Sequence, residues 1–205
     1  MSTAARIAAI LIALAALAAL AMQFVVSNGM TGSLGQTIWV LLGYFTVLTN
    51  LIVLFTFARM GIAGAMLPAS WLTAVTLWIA IVGVVYHTLL AGIWEPQGLA
   101  YWADQALHTA TPLLTLLFWI AFAPKSGLGW MDAVRWLGWP LIYTIYALVR
   151  GMFTGQYPYP FMDLNVLTAG QVAVNAVGLT VAFFIGGMIF VGLARLLSAR
   201  EPRTA

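Results

Sequence analysis

The sequence predicts an all-α fold, a polytopic membrane protein built as a six-transmembrane-helix bundle with short loops, and two observations carry that prediction. Only 6% of its 205 residues are charged and 63% are hydrophobic, with a mean hydropathy of +1.02, whereas a soluble domain carries about 25% charged residues. The apolar residues also gather into six runs, near residues 5–26, 36–57, 70–93, 103–123, 133–153 and 168–196, each at least as long as the roughly 20 residues that a helix needs to cross a bilayer. These runs use nearly the whole chain. One transmembrane domain over residues 1–205 is therefore expected, with no soluble module.

The first run follows Arg6 and is rich in Ala and Leu, as a secretory signal is, but at about 20 residues it exceeds the usual signal core of 7 to 15 and ends without a clear small-x-small site. It is read as a retained helix. The second run places Thr46, Thr49 and Asn50 on one helical face, and the third gives a small and polar stripe of Thr76, Ala80, Gly83 and His87. The fourth run carries Asp104, His108, Thr111 and Thr115 at i, i+4, i+7 and i+11. The fifth lines up Trp139, Tyr143, Tyr146 and Arg150, and the sixth Thr168, Gln171, Asn175 and Gly178. Helices two to six thus each offer a face to a common interior, while the first offers little beyond Gln23. Cysteine is absent, which removes disulfide and thiol chemistry.

Lys and Arg in short loops set orientation. With the N-terminus inside, Arg6, Arg59, Lys125, Arg135, Arg195, Arg200 and Arg203 fall on the inner side and only Arg150 outside, so both termini are expected in the cytoplasm. The net charge of +3 reflects this topology and gives no reason to expect nucleic acid. The longest outer connection, GMFTGQYPYPFMDLN, alternates proline with aromatics, which stops a helix. It is read either as an interfacial aromatic belt or as a lid carrying Asp163 and Asn165 toward the outer mouth.

A histidine titrates near neutrality, and His108 sits in an otherwise apolar run, so the fourth stripe reads as the wall of an internal site. At about 1.5 Å per residue, Thr46 lies roughly 14 Å below the outer end of its run and Thr49 about 18 Å, against roughly 8 Å for His108 and 10 Å for His87. Thr46 is the better depth match to His108. A threonine hydroxyl becomes a nucleophile when a neutral imidazole takes its proton. Asp104 would orient the ring, and Asn50, Arg150, Asp163, Gln171 or a tyrosine would support the substrate or its oxyanion.

The runs FTVLTNLIV, ALHTATPLL and YPYPFMD resemble the signature regions of the androgen-induced-protein family of six-span membrane proteins. Its members include hydrolases of fatty acid esters of hydroxy fatty acids. The resemblance implies a threonine nucleophile at Thr46 and a histidine at His108, within His108-Thr109-Ala110-Thr111-Pro112. The third region falls on Tyr159, Pro160, Phe161, Met162 and Asp163. Asp104 stands where animal members have a neutral amide, and Thr49 replaces an acid. The resemblance implies an intramembrane threonine hydrolase of a lipid ester, a multi-pass protein of the bacterial inner membrane, with membrane lipids and the lipid ester as its partners.

Other classes fit less well. A retinal Schiff base needs a lysine inside a span, and the only lysine, Lys125, lies in an inner loop. His87 and His108 alone would have to serve haem, paired repeats typical of transporters are not apparent, and no metal or organic cofactor is expected. His87 is read as an interhelical hydrogen-bonding residue. The alternative to an enzyme is a non-enzymatic lipid-binding or scaffolding protein, since an interior of Met, Trp and Phe accommodates acyl chains whether or not it cleaves them.

Overall fold

The computed structural model describes residues 1–93 and 95–198. Arg200, Glu201 and Arg203, which enter the charge count behind the expected cytoplasmic C-terminus, lie outside them. Among the described residues all regular structure is helical, and five helices are long and apolar enough to cross a membrane. The architecture is that of a helical, multi-pass membrane protein. The chain divides into two compact units, Met1–Pro124 and Lys125–Ala205, and each is described by itself.

The first unit begins with α1 (Thr3–Thr31), where the Ser2 hydroxyl accepts from the Ala5 amide and an Ala/Leu-rich run with high helix propensity comes next. Gly32 ends it at φ 69°, a left-handed conformation that glycine adopts without a Cβ penalty. Ala5, Ala9, Ile12, Ala16 and Ala19 form its buried stripe. Small residues let backbones approach, which matters where lipid removes the hydrophobic drive between helices. The approach is close at Gly61, where a Cβ would lie 2.7 Å from Ile10 Cγ1. There Arg6 donates to the carbonyls of Gly61 and Ile62 at 2.9 and 3.4 Å, satisfying the end of the next long helix.

The second apolar run is not one helix. It divides into α2 (Leu34–Leu41) and α3 (Phe45–Ala63), separated by a turn at Leu42 and Gly43 and by extended backbone at Tyr44. The tightened bonds Gly43 N to Val40 O and Tyr44 N to Leu41 O close the first helix before the second starts. The expected single span over 36–57 is thus corrected to a span beginning at Phe45. Thr46 lies in its first turn, and depth counted down a continuous helix from residue 37 does not apply.

Pro68 precedes α4 (Ala69–Leu90), and Gly98, at φ 59°, precedes α5 (Leu99–Phe122). Trp119 donates to the Thr73 hydroxyl, and Phe57 meets Phe118 edge to face at 4.9 Å. Each of the two helices contains one widened π-helical turn, Tyr86–Leu90 in α4 and Ala106–Ala110 in α5, marked by the bonds Ala91 N to Tyr86 O and Thr111 N to Ala106 O. The two helices approach at Gly83, one turn before the first widened turn, where a Cβ would stand 3.1 Å from the His108 carbonyl and 3.4 Å from Pro112 Cβ.

The second unit holds α6 (Trp130–Arg135), α7 (Gly138–Thr154) and α8 (Ala169–Ser198). A turn at Trp136 and Leu137 interrupts the fifth apolar run, leaving α7 with 17 residues, or about 26 Å at 1.5 Å per residue. Gly187 of α8 admits Ala133 of α6, whose Cβ would be 3.0 Å from an added Cβ, and Arg195 lies over Trp130 at 4.2 Å. The proline-aromatic connection is tied down within this unit. Tyr157 lies over Gly151, Tyr159 and Phe161 stack at 5.2 Å, and Asn165 and Asn175 donate to the carbonyls of Gly155 and Phe161.

Candidate functional site

The π-helical turns of α4 and α5 carry the two histidines, and such turns recur at functional sites because the extra residue re-aims side chains. His108 Nδ1 lies 3.0 Å from the Asp104 carbonyl and 3.2 Å from Asp104 Oδ1. Both neighbours are acceptors, so Nδ1 carries the hydrogen and, in the neutral ring, Nε2 holds the lone pair. Tyr86 completes the cluster. Its hydroxyl donates to Asp104 Oδ2 and its ring stacks on His108 at 4.0 Å between centroids. Asp104 is 3% exposed and Tyr86 5%, so this polar group is held inside apolar surroundings. Buried polar groups persist there because each has a partner.

Asn50 links this cluster to the turn that carries Thr46. Its Nδ2 donates to Thr46 O at 2.9 Å and to Leu107 O at 3.4 Å. The second acceptor has a specific cause: Pro112 has no N–H, so the Leu107 carbonyl five residues earlier loses the partner that a further widened-turn bond would supply. With both amide hydrogens used, Asn50 presents only its oxygen. In this arrangement Asn50 offers no donor to an oxyanion.

Thr46 is 7% exposed in the first turn of α3, and neither ring nitrogen of His108 is hydrogen-bonded to it. Asn50 Oδ1, Thr111 Oγ1 and Thr115 Oγ1 are buried and take no hydrogen bond among the described residues. Thr111 and Thr115 belong to the same stripe as His108, so acceptor and donor groups continue along α5 below the imidazole.

His87 is exposed, with Nε2 3.0 Å from Thr109 Oγ1, while Thr109 donates to Gln105 Oε1. A hydroxyl has one hydrogen, so Thr109 accepts from His87 and is not deprotonated by it. Next to this pair opens a cavity of about 320 Å³, lined among others by Tyr86, His87, Glu95, Tyr101 and Asp104.

Arg150, Asp163 and Gln171 belong to the second unit. Asp163 Oδ1 accepts from the Asn165 amide within the proline-aromatic connection. Gln171 Oε1 accepts from the Thr168 amide while the Thr168 hydroxyl accepts from the Gln171 amide, a reciprocal cap on α8. Arg150 is half-buried near the end of α7, where its carbonyl accepts from the Thr154 hydroxyl.

Tyr86 was not singled out by the sequence stripes, although it directly precedes His87. Among the described residues no group of three or more His, Cys, Asp or Glu could hold a metal ion. Comparison with family models, with curated proteins and with solved structures finds no match to this chain.

Proposed function

We propose that the chain is an intramembrane hydrolase that cleaves an ester bond in a lipid, such as a fatty acid ester of a hydroxy fatty acid, with Thr46 as nucleophile and His108 as general base. The observation that supports it most is the Asp104–His108 pair, which fixes the hydrogen on Nδ1 and leaves Nε2 with a lone pair and no hydrogen bond among the described residues. Asn50 adds support by tying the Thr46 turn and the His108 turn to one amide group.

In the proposed reaction Thr46 Oγ1 attacks the acyl carbon as His108 Nε2 takes its proton, and Asp104 stabilises the imidazolium. The tetrahedral intermediate expels the alkoxide, which receives that proton from Nε2, leaving acyl-Thr46. Water then attacks the acyl carbon as His108 Nε2 takes its proton, and the second tetrahedral intermediate expels Thr46 Oγ1, which receives that proton from Nε2 as the free acid leaves. Closure of Thr46 onto His108 accompanies substrate binding, since catalytic hydrogen bonds often tighten only in the substrate complex.

The proposed setting is a bacterial inner membrane, with six crossings and both termini cytoplasmic. The 17-residue α7 makes the extra crossing at the cost of a few ångströms of local thinning. A lipid-binding protein without catalysis is the second reading, favoured by the missing Thr46–His108 hydrogen bond. A fluorophosphonate probe separates the two. Labelling of wild type at Thr46, lost in Thr46→Ala, supports the hydrolase; a folded wild type that binds lipid, resists the probe and cleaves no lipid ester supports the binder.

A further inference from the structure

The cavity beside the widened turns has a chemistry of its own. Its lining includes the exposed Tyr101 ring, the exposed Glu95 and the buried Asp104, and none of its lining residues is Lys or Arg. Glu95 is exposed and forms no ion pair or hydrogen bond among the described residues. Asp104 receives only the neutral Tyr86 hydroxyl and His108 Nδ1–H, so the two acids leave the cavity electronegative. An anionic phosphate or carboxylate is repelled there. A cation that also prefers aromatic faces is attracted, because a tyrosine ring is negative on its face and a poorly hydrated ammonium loses little by leaving water. A volume of about 320 Å³ exceeds what a bare metal ion fills and suits a small organic cation.

We propose that this cavity binds an organic ammonium group, held against the exposed Tyr101 ring with Glu95 as its counter-charge. The group comes either from a free amine or from the head of an amphiphile whose chains lie along the apolar helices. The proposal rests on the hydrolase reading only in the second case, where the ammonium would place the ester near His108. Binding itself is independent of cleavage.

The test measures binding of choline, of its uncharged carbon analogue 3,3-dimethylbutan-1-ol and of O-lauroylcholine to the full chain in nanodiscs, using Thr46→Ala so that turnover does not intervene. Choline is expected to bind about tenfold more tightly than the neutral analogue, the free-energy scale of a partly desolvated cation–π contact. Glu95→Gln and Tyr101→Leu, both at exposed positions that leave the core intact, should each weaken choline without changing the neutral analogue. Tighter binding of O-lauroylcholine than choline identifies a lipid head as the source; equal binding identifies a free amine. Equal affinity for choline and the neutral analogue, or choline binding unchanged in both variants, overturns the proposal. A wild type that binds choline but cleaves no ester keeps this site and removes the hydrolase; one that cleaves esters without binding choline does the reverse.

Discussion

Tyr86 and His108 lie face to face, their rings 4.0 Å apart and inclined by 13°, while the tyrosine hydroxyl reaches past the imidazole to Asp104. One side chain thus packs the imidazole and holds the carboxylate beside it. Both residues sit in widened turns, and Gly83, three residues before Tyr86, lets α4 approach α5.

Tyr86→Phe keeps the stack and removes one hydrogen bond to a buried carboxylate, an interaction worth about 1.5–3 kcal/mol. If Asp104 stabilises the imidazolium that forms during reaction, kcat should fall about tenfold or more while KM changes little. Steady-state kinetics on a lipid ester decides this. An equal change in KM alone would assign Tyr86 to substrate binding.

Gly83→Ala should destabilise, since its Cβ would press against the backbone carbonyl of His108, which cannot swing aside as a side-chain tip can. Overpacking of this kind costs about 1–3 kcal/mol. Gly29 is the control: it lies in α1 with nothing within 4 Å of an added Cβ, and replacing a helical glycine by alanine gains up to about 1 kcal/mol. Thermal unfolding in detergent should therefore move in opposite directions for Gly83→Ala and Gly29→Ala.

The helices were legible in the sequence because lipid demands long apolar runs, and four of the spans keep nearly their expected bounds. The irregular turns were not. A stripe drawn at 3.6 residues per turn puts His87 in line with Thr76 and Gly83, yet a π-helical turn holds an extra residue and rotates the side chains around it out of that register. His87 ends exposed and Tyr86, its neighbour, ends buried. The break before Phe45 escaped for a related reason, since Leu42, Gly43 and Tyr44 are apolar enough to extend either a helix or a turn. Gln171 shows the opposite failure. Its Thr168-x-x-Gln171 spacing is a capping signature, legible as such, but the polar stripe of the same helix drew it into the interior.

The topology is open to a direct check because the chain has no cysteine and needs no background substitutions. Gln97→Cys, in the connection between α4 and α5, should react with a membrane-impermeant maleimide added outside intact cells. Lys125→Cys should react only after the membrane is opened. The reverse pattern would invert the orientation, and labelling of both from outside would remove the crossing by α5.

The sharpest separation of enzyme from binder is a mutant cycle on the proposed pair. Thr46→Ala and His108→Ala should each abolish ester hydrolysis, and the double variant should be little worse than either, because members of one catalytic unit are strongly non-additive. Thr46→Ser keeps a hydroxyl and should retain activity, whereas Thr49→Ala, one turn further along α3 and fully buried, should act on stability more than on rate. Thr46→Ala should leave the fold intact, since an interhelical hydrogen bond averages about 0.6 kcal/mol. His108→Ala does remove the partner of Asp104, so His108→Gln, which restores a donor without a base of the right strength, is the companion variant. Activity lost in His108→Gln with folding retained assigns the imidazole to proton transfer. Additive losses in the double variant would instead mean that Thr46 and His108 act separately, and the pair would no longer explain hydrolysis.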